Sequence, residues 1–255
     1  MSPDHDDLRA RIRRFFDVEL PPVLDGVQGT LPRARAWRAA LADAGLAGLG
    51  YPVEMGGSGG GPAEVALWRE ESRGRVPRED AVFGIGVGMA LPTLRDQAPE
   101  LARRFVPPGL RGEEIWCQLY SEPGAGSDLA SLATRAVRDG DEWVVTGQKV
   151  WTSGAHHSQL AVLLARTNPD APKHQGITMF VLPMAQAGVD VRPLRQMTGE
   201  VEFNEVFLDE ARVPADWVVG AVDDGWRLAV ALLAHERVST GTASVGGSDR
   251  ERTKT

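Results

Sequence analysis

Through roughly the first 110 residues, apolar positions recur at helical spacing. Leu8, Ile12, Phe15 and Phe16 fall on one stripe, and Pro21–Pro22 is expected to stop that helix. Trp37, Leu41 and Ala44 mark a second helix, with Gly45 as its C-terminal breaker. A third runs from about Pro62, a residue suited to a first turn, to Arg73. Residues 81–91 are apolar but interrupted by Gly84, Gly86 and Gly88, which reads as a small-residue helix packed closely on its neighbours. Pro92 and Pro99 punctuate the next stretch of chain.

The period changes near Glu114. From there to about Pro214, β-favouring residues alternate and turn signals recur. RAVRDGDEWVVTG reads as a hairpin with Asp139-Gly140 at its turn, and LAVLLAR (160–166), GITMFVLPM (176–184) and VEFNEVFLDEARVP (201–214) read as further strands. Short strands at this spacing imply a small barrel or sandwich. Helical period returns at Gly225, where Trp226, Val230, Leu233 and Arg237 lie near one face, and the chain ends in the polar GGSDRERTKT. The chain is therefore α+β. Its last helix cannot bury an apolar face alone, so it packs elsewhere or against another chain.

Composition narrows the function classes. The 255 residues suffice for one large domain or two smaller ones. A net charge of −7 without a basic block argues against nucleic acid or anionic membrane as partners. No apolar run approaches the ~20 residues of a membrane span, and the mixed-charge N-terminus resembles neither signal nor transit peptide. Cys117 is the single cysteine and the five histidines show no metal spacing, so no disulfide framework or metal centre is expected. A reducing compartment, the cytoplasm, is the expected location. GGSGGGP (56–62) lacks the Lys-Ser/Thr of a phosphate loop and reads as a flexible connection. Met89, Leu94 and Met197 read as core residues, and His156–His157 as a surface turn.

The chemistry lies in two segments, WCQLYSEPGAGSD (116–128) and GQKVWTSG (147–154). Either alone is an ordinary turn, with Ser127 or Asp128 as a cap. Together they set short hydroxyl donors, Ser121, Ser127 and Ser153, beside an aromatic plate, Trp151. Gly124 and Gly126 let backbone approach a ligand. This suits a flat, polar, phosphate-bearing cofactor.

With AGLAGLGYPVEMGGSGGG (44–61), VRPLRQMTGEVEFNEVFLDEARVP (191–214) and HERVS (235–239) in the same order, the chain resembles the acyl-CoA dehydrogenase family. The resemblance implies an N-terminal helical domain (1–112), a middle β-domain carrying the flavin and acyl-CoA site (113–217), and the first helix (218–255) of a C-terminal four-helix bundle whose remainder is missing. It implies FAD as cofactor, an acyl-CoA substrate desaturated between Cα and Cβ, and an electron-transferring flavoprotein as acceptor. Homo- or hetero-oligomers are expected. Carried over by position, Ser121 and the backbone of Gln118, Leu119 and Tyr120 would hold the pyrimidine edge of the isoalloxazine. Gly126 and Ser127 would reach the pyrophosphate or substrate side. Trp151 would pack on the ring, and Thr152–Ser153 would present a hydrogen bond near N5.

Proton abstraction α to a thioester needs a desolvated carboxylate. Glu236 stands where some members carry that base, with Arg237 as electrostatic support; a salt-bridging Glu236 is the other reading. The missing bundle makes weak FAD retention the expectation for the chain alone. A non-catalytic subunit needing a full-length partner, and a flavin monooxygenase or oxidase on the same fold, remain alternatives.

Overall fold

The computed structural model describes residues 3–197, 199 and 201–243, with side chains for 5–197, 199 and 201–235. A helical layer comes first. Helix α1 (Pro3–Arg14) runs through a π-turn, Phe15–Glu19, directly into α2 (Leu20–Leu24). Pro21 and Pro22 thus do not stop the element. They occupy the first turn of α2, where the wider π-turn has already broken the regular hydrogen-bond ladder and a missing N–H matters least. Phe16 stacks on Trp37 and Trp68, joining this rod to α3 (Thr30–Asp43) and α4 (Pro62–Glu71). The end of α3 agrees with the sequence: Gly45 N–H donates to Ala42 O and Leu46 N–H to Leu41 O, the paired bonds of a glycine C-cap.

The 56–62 loop is packed rather than flexible. Its amides bond back, Ser58 to Gly48 O and Gly59 to Tyr51 O, and a Cβ on Gly60 would meet Leu49 O at 2.7 Å. The segment 81–91 is helical but not uniform: a 3₁₀ stretch, Arg78–Phe83, a π-turn, Gly86–Ala90, then α5 (Leu91–Gln97). Gly86 lies against Trp116, which a Cβ would meet at 3.0 Å. Helix α6 (Pro99–Arg111) comes next, and its Phe105 makes edge contacts with Trp116 and Trp217 that dock the helical layer on the β-domain.

The β-domain comprises β1 (Trp116–Leu119), β2 (Arg135–Asp139), β3 (Glu142–Ser153), β4 (Leu160–Arg166), β5 (Ile177–Pro183), β6 (Val189–Pro193), β7 (Phe203–Pro214) and β8 (Val218–Val219). The sheet order is β6-β7-β3-β2-β4-β5-β8, with β1 parallel beside β4. The sheet curls so that β5 approaches β7 and β1 approaches β3, the small sandwich-like barrel expected. The β2–β3 loop is Gly140-Asp141 rather than Asp139-Gly140, because Asp139 pairs with Glu142 and Gly140 takes φ +58° at the first loop position. Met197 is fully exposed between β6 and β7, not a core residue; Leu94 is buried, and Met89 is both buried and part of a cleft wall.

Helix α7 (Gly225–Ala243) is not left without partners. It lies on β5, α5 and the Gly86–Ala90 turn. Gly225 has no Cβ, and one would sit 2.7 Å from the Thr178 carbonyl carbon. That close seat turns Leu228, Ala229 and Leu232 inward, while Val230, expected on the packing face, is 53% exposed.

Candidate functional site

The two sequence segments meet. Strand β1 delivers Tyr120 and Ser121 beside β3, and Val150 N–H donates to Ser121 O at 2.9 Å. The next residues of β3 decide the site. Between Lys149 and Thr152 its pairing with β7 slips by one residue, leaving Val150–Trp151 as a bulge. Trp151 takes φ +60°, an uncommon conformation for a bulky residue, and its indole stands 63% exposed with Phe203 edge-on at 5.9 Å. Without the slip, simple alternation would set Trp151 on the same face as Lys149, inside the domain.

Buried polar groups hold this shape. Lys149 is fully buried, and its Nζ donates to Glu122 Oε1 at 2.8 Å and Tyr120 O at 3.2 Å. Glu122 also accepts the amides of Ala133 at 2.6 Å and Thr134 at 3.0 Å. Burial pulls the Lys149 ammonium down to about 8, against the opposing pull of Glu122. For Glu122, burial acts upward, but Lys149 and the hydrogen bonds from Thr134 and Ala133 outweigh it and hold the carboxyl below the usual range. Both groups are therefore charged at neutral pH. On the other side, buried Asn204 donates from Nδ2 to Thr152 O at 2.9 Å, and its Oδ1 faces His156 Nδ1 at 3.1 Å. Gly154 N–H donates to Glu202 O.

Ser121 and Ser127 are exposed and Ser153 is half-buried. Gly124 and Gly126 are exposed at the loop tip, with open space where a Cβ would stand, so a large group can lie on this backbone. Gln118 is half-buried, whereas the Leu119, Tyr120 and Thr152 side chains point into the protein and leave only backbone to offer outward. Ser153 and Gly154 form one wall of a cleft of about 730 Å³. Trp116, Ile85, Val87 and Met89 line it from other sides. Glu236 and Arg237 lie on α7, but their side chains fall outside the described residues. His156 and His157 are exposed in a 3₁₀ turn, as expected.

Sequence reasoning misses Lys149, Glu122 and Asn204, although one signal is available. Trp143, Val145 and Gly147 share the inner face of β3, and alternation sets Lys149 on that face too. A lysine there requires a buried carboxylate, and Glu122 lies in the companion segment.

Comparison with known proteins agrees with this architecture. The N-terminal domain of acyl-CoA dehydrogenases matches residues 2–113 and the middle domain residues 117–211. The acyl-CoA dehydrogenase FadE34 of Mycobacterium tuberculosis is 52% identical over 254 residues, 95% of this chain and 35% of that protein. Among solved structures, the Tcur3481-Tcur3483 steroid ACAD is 35% identical with a TM-score of 0.73 over 95% of this chain and 63% of its own. The ChsE4-ChsE5 complex from Mycobacterium tuberculosis is 31% identical with a TM-score of 0.68 over 92% and 60%. The chain belongs to the acyl-CoA dehydrogenase family, a family of FAD-using oxidoreductases, and carries its N-terminal and middle domains. It spans about a third of the length of FadE34 and under two thirds of the two solved chains. Among the described residues, no helix is long and apolar enough to cross a membrane.

Proposed function

We propose that this chain supplies an FAD and acyl-CoA site for the α,β-dehydrogenation of an acyl-CoA thioester. The observation that carries the reading is the bulge that throws Trp151 out of β3, two residues before Ser153 and hydrogen-bonded through Val150 to Ser121. It leaves the Trp151 indole exposed, with exposed Ser121 in the backbone-paired segment and Ser153 in the wall of a cleft large enough for a small-molecule ligand.

FAD, when bound, supplies the hydride acceptor. The protein's part is binding and orientation. Ser121 and the backbone of Gln118, Leu119 and Tyr120 would bind the pyrimidine edge, where fixed dipoles stabilise negative charge without reorganising. Gly126 and Ser127 would face the pyrophosphate, Trp151 would cover the ring and exclude water, and the Thr152–Ser153 segment would donate near N5. The thioester would lie in the cleft between Ser153 and the helical layer. Glu236 is the proposed base and Arg237 its support. An electron-transferring flavoprotein is the proposed acceptor and the cytoplasm the proposed location. A hetero-oligomeric arrangement is supported by the solved relative described as a two-protein complex.

The test is titration of purified protein with FAD, followed by the visible flavin band and quenching of tryptophan fluorescence. Replacing Ser153 by Ala is expected to weaken FAD binding by about tenfold, the worth of one well-placed hydrogen bond. Binding indifferent to both Ser153→Ala and Ser121→Ala would remove the reading.

A further inference from the structure

A buried ammonium is costly to desolvate, yet Lys149 is fully buried in β3. Stability alone does not account for it. Apolar residues of similar volume often match or better a buried ion pair, so packing gives no reason to set Lys149 against Glu122. What apolar residues cannot do is hold a positive charge on a carbonyl. Lys149 Nζ does this, donating to Tyr120 O at 3.2 Å and to Glu122 Oε1 at 2.8 Å. Glu122 shares its own charge among three donors, because the amides of Ala133 and Thr134 also reach it.

The carbonyl that Lys149 touches belongs to the peptide joining Tyr120 to Ser121. In a trans peptide the C=O and N–H point opposite ways, so the ammonium on Tyr120 O lies behind the Ser121 N–H. That N–H finds no acceptor among the described residues, and Ser121 is exposed. The other side of Ser121 is fixed as well, since its carbonyl accepts the Val150 N–H at 2.9 Å. The result is a peptide donor oriented from both ends and polarised from behind by a buried cation. Hydrogen bonds in series strengthen one another, most of all where one member is charged. Such a donor favours an acceptor that gains negative charge.

We propose that Lys149 is a positioning residue for the flavin: acting through the Tyr120–Ser121 peptide, it makes the Ser121 N–H hold reduced FAD more tightly than oxidised FAD. Its charge does not meet the cofactor. Glu122 keeps that charge in place, for burial draws the Lys149 ammonium down to about 8 against the opposing pull of Glu122. The inference rests on the flavin reading above and adds the device that sets the reduction potential.

The test compares two affinities in each protein. Oxidised FAD, and FAD photoreduced without air, are titrated separately by quenching of tryptophan fluorescence, with urea curves confirming that each variant folds. The ratio of the two dissociation constants measures the preference for reduced flavin, and a tenfold change in it equals about 30 mV for a two-electron couple. Lys149→Met leaves the Glu122 charge unopposed, and the preference is expected to fall by about tenfold. The double variant Lys149→Met/Glu122→Gln removes both charges and decides the matter if the single variant does not fold. It is expected to bind oxidised FAD within about threefold of wild type and to lose about threefold in preference. Gly147→Ala crowds the same strand without altering charge, and should weaken both forms alike. An unchanged preference in the double variant, loss of both forms together there, or an equal shift in Gly147→Ala would overturn the role of Lys149 while leaving the flavin reading intact. Wild-type protein that binds neither form would overturn both.

Discussion

The helical layer and the β-domain handle irregularity in opposite ways. The helical layer spreads it along the chain: a π-turn at Phe15–Glu19, another at Gly86–Ala90, a 3₁₀ stretch at Arg78–Phe83, and prolines inside α6. The sheet concentrates it in the β3–β7 pair, where two bulges put Trp151 and Glu210 at positive φ. The difference has a physical basis. A helix satisfies its hydrogen bonds locally, so an extra residue per turn changes little beyond the next turn. A strand shares its bonds with a neighbour, so one slip reverses which face every later side chain occupies. In the helices irregularity shapes one wall of the cleft, through Val87 and Met89. In the sheet it aims one indole outward, and buried polar groups must hold the result.

If that contrast is right, perturbing the polar frame of the sheet should have the largest consequences. Lys149→Met leaves Glu122 buried without its cation and is expected to lower unfolding stability by about 3 kcal/mol in urea titration, with part regained in the double variant carrying Glu122→Gln. A loss below about 1 kcal/mol would mean that the pair does not hold the loops. Gly147→Ala comes next. Its methyl would lie 2.7 Å from Thr134 Cα, and a loss of about 2 kcal/mol is expected from overpacking. Trp151→Gly sharpens the contrast by splitting two properties. Relief of the positive φ should raise stability by about 1 kcal/mol, while loss of the indole face weakens FAD binding. A parallel fall in both would show that Trp151 is ordinary packing. The smallest effect belongs to the helical layer: Gly84→Ala, at a helical φ with open space around it, should gain about 0.5 kcal/mol in the same titration. A loss there would show that the helical glycines are as constrained as Gly147.

Much of this is legible in the residues. Helical period before Glu114, alternation after it and renewed helix from Gly225 correspond to α1–α6, β1–β8 and α7, and the expected Gly45 cap forms. The departures share a cause. Pro21–Pro22 reads as a stop because local rules do not foresee a preceding π-turn. GGSGGGP reads as flexible because composition does not reveal that Gly60 rests on the Leu49 carbonyl. On α7 the expected stripe is not the buried one: Leu228, Ala229 and Leu232 are buried while Val230 is exposed, because Gly225 seats the helix on β5 by a different face.

Local pattern and motif order determined the class of each element, the division into helical and β regions, and the two segments proposed to hold the flavin. Those depend on periodicity, turn propensity and residue type, all of which act over a few positions. Tertiary structure alone decided that β3 slips against β7 and sends Trp151 outward, that Lys149 finds Glu122 in the other segment, and that Ser153 and Met89 line one cleft. Each of these joins residues far apart in the chain, where strand register and desolvation set the outcome and no local propensity reaches.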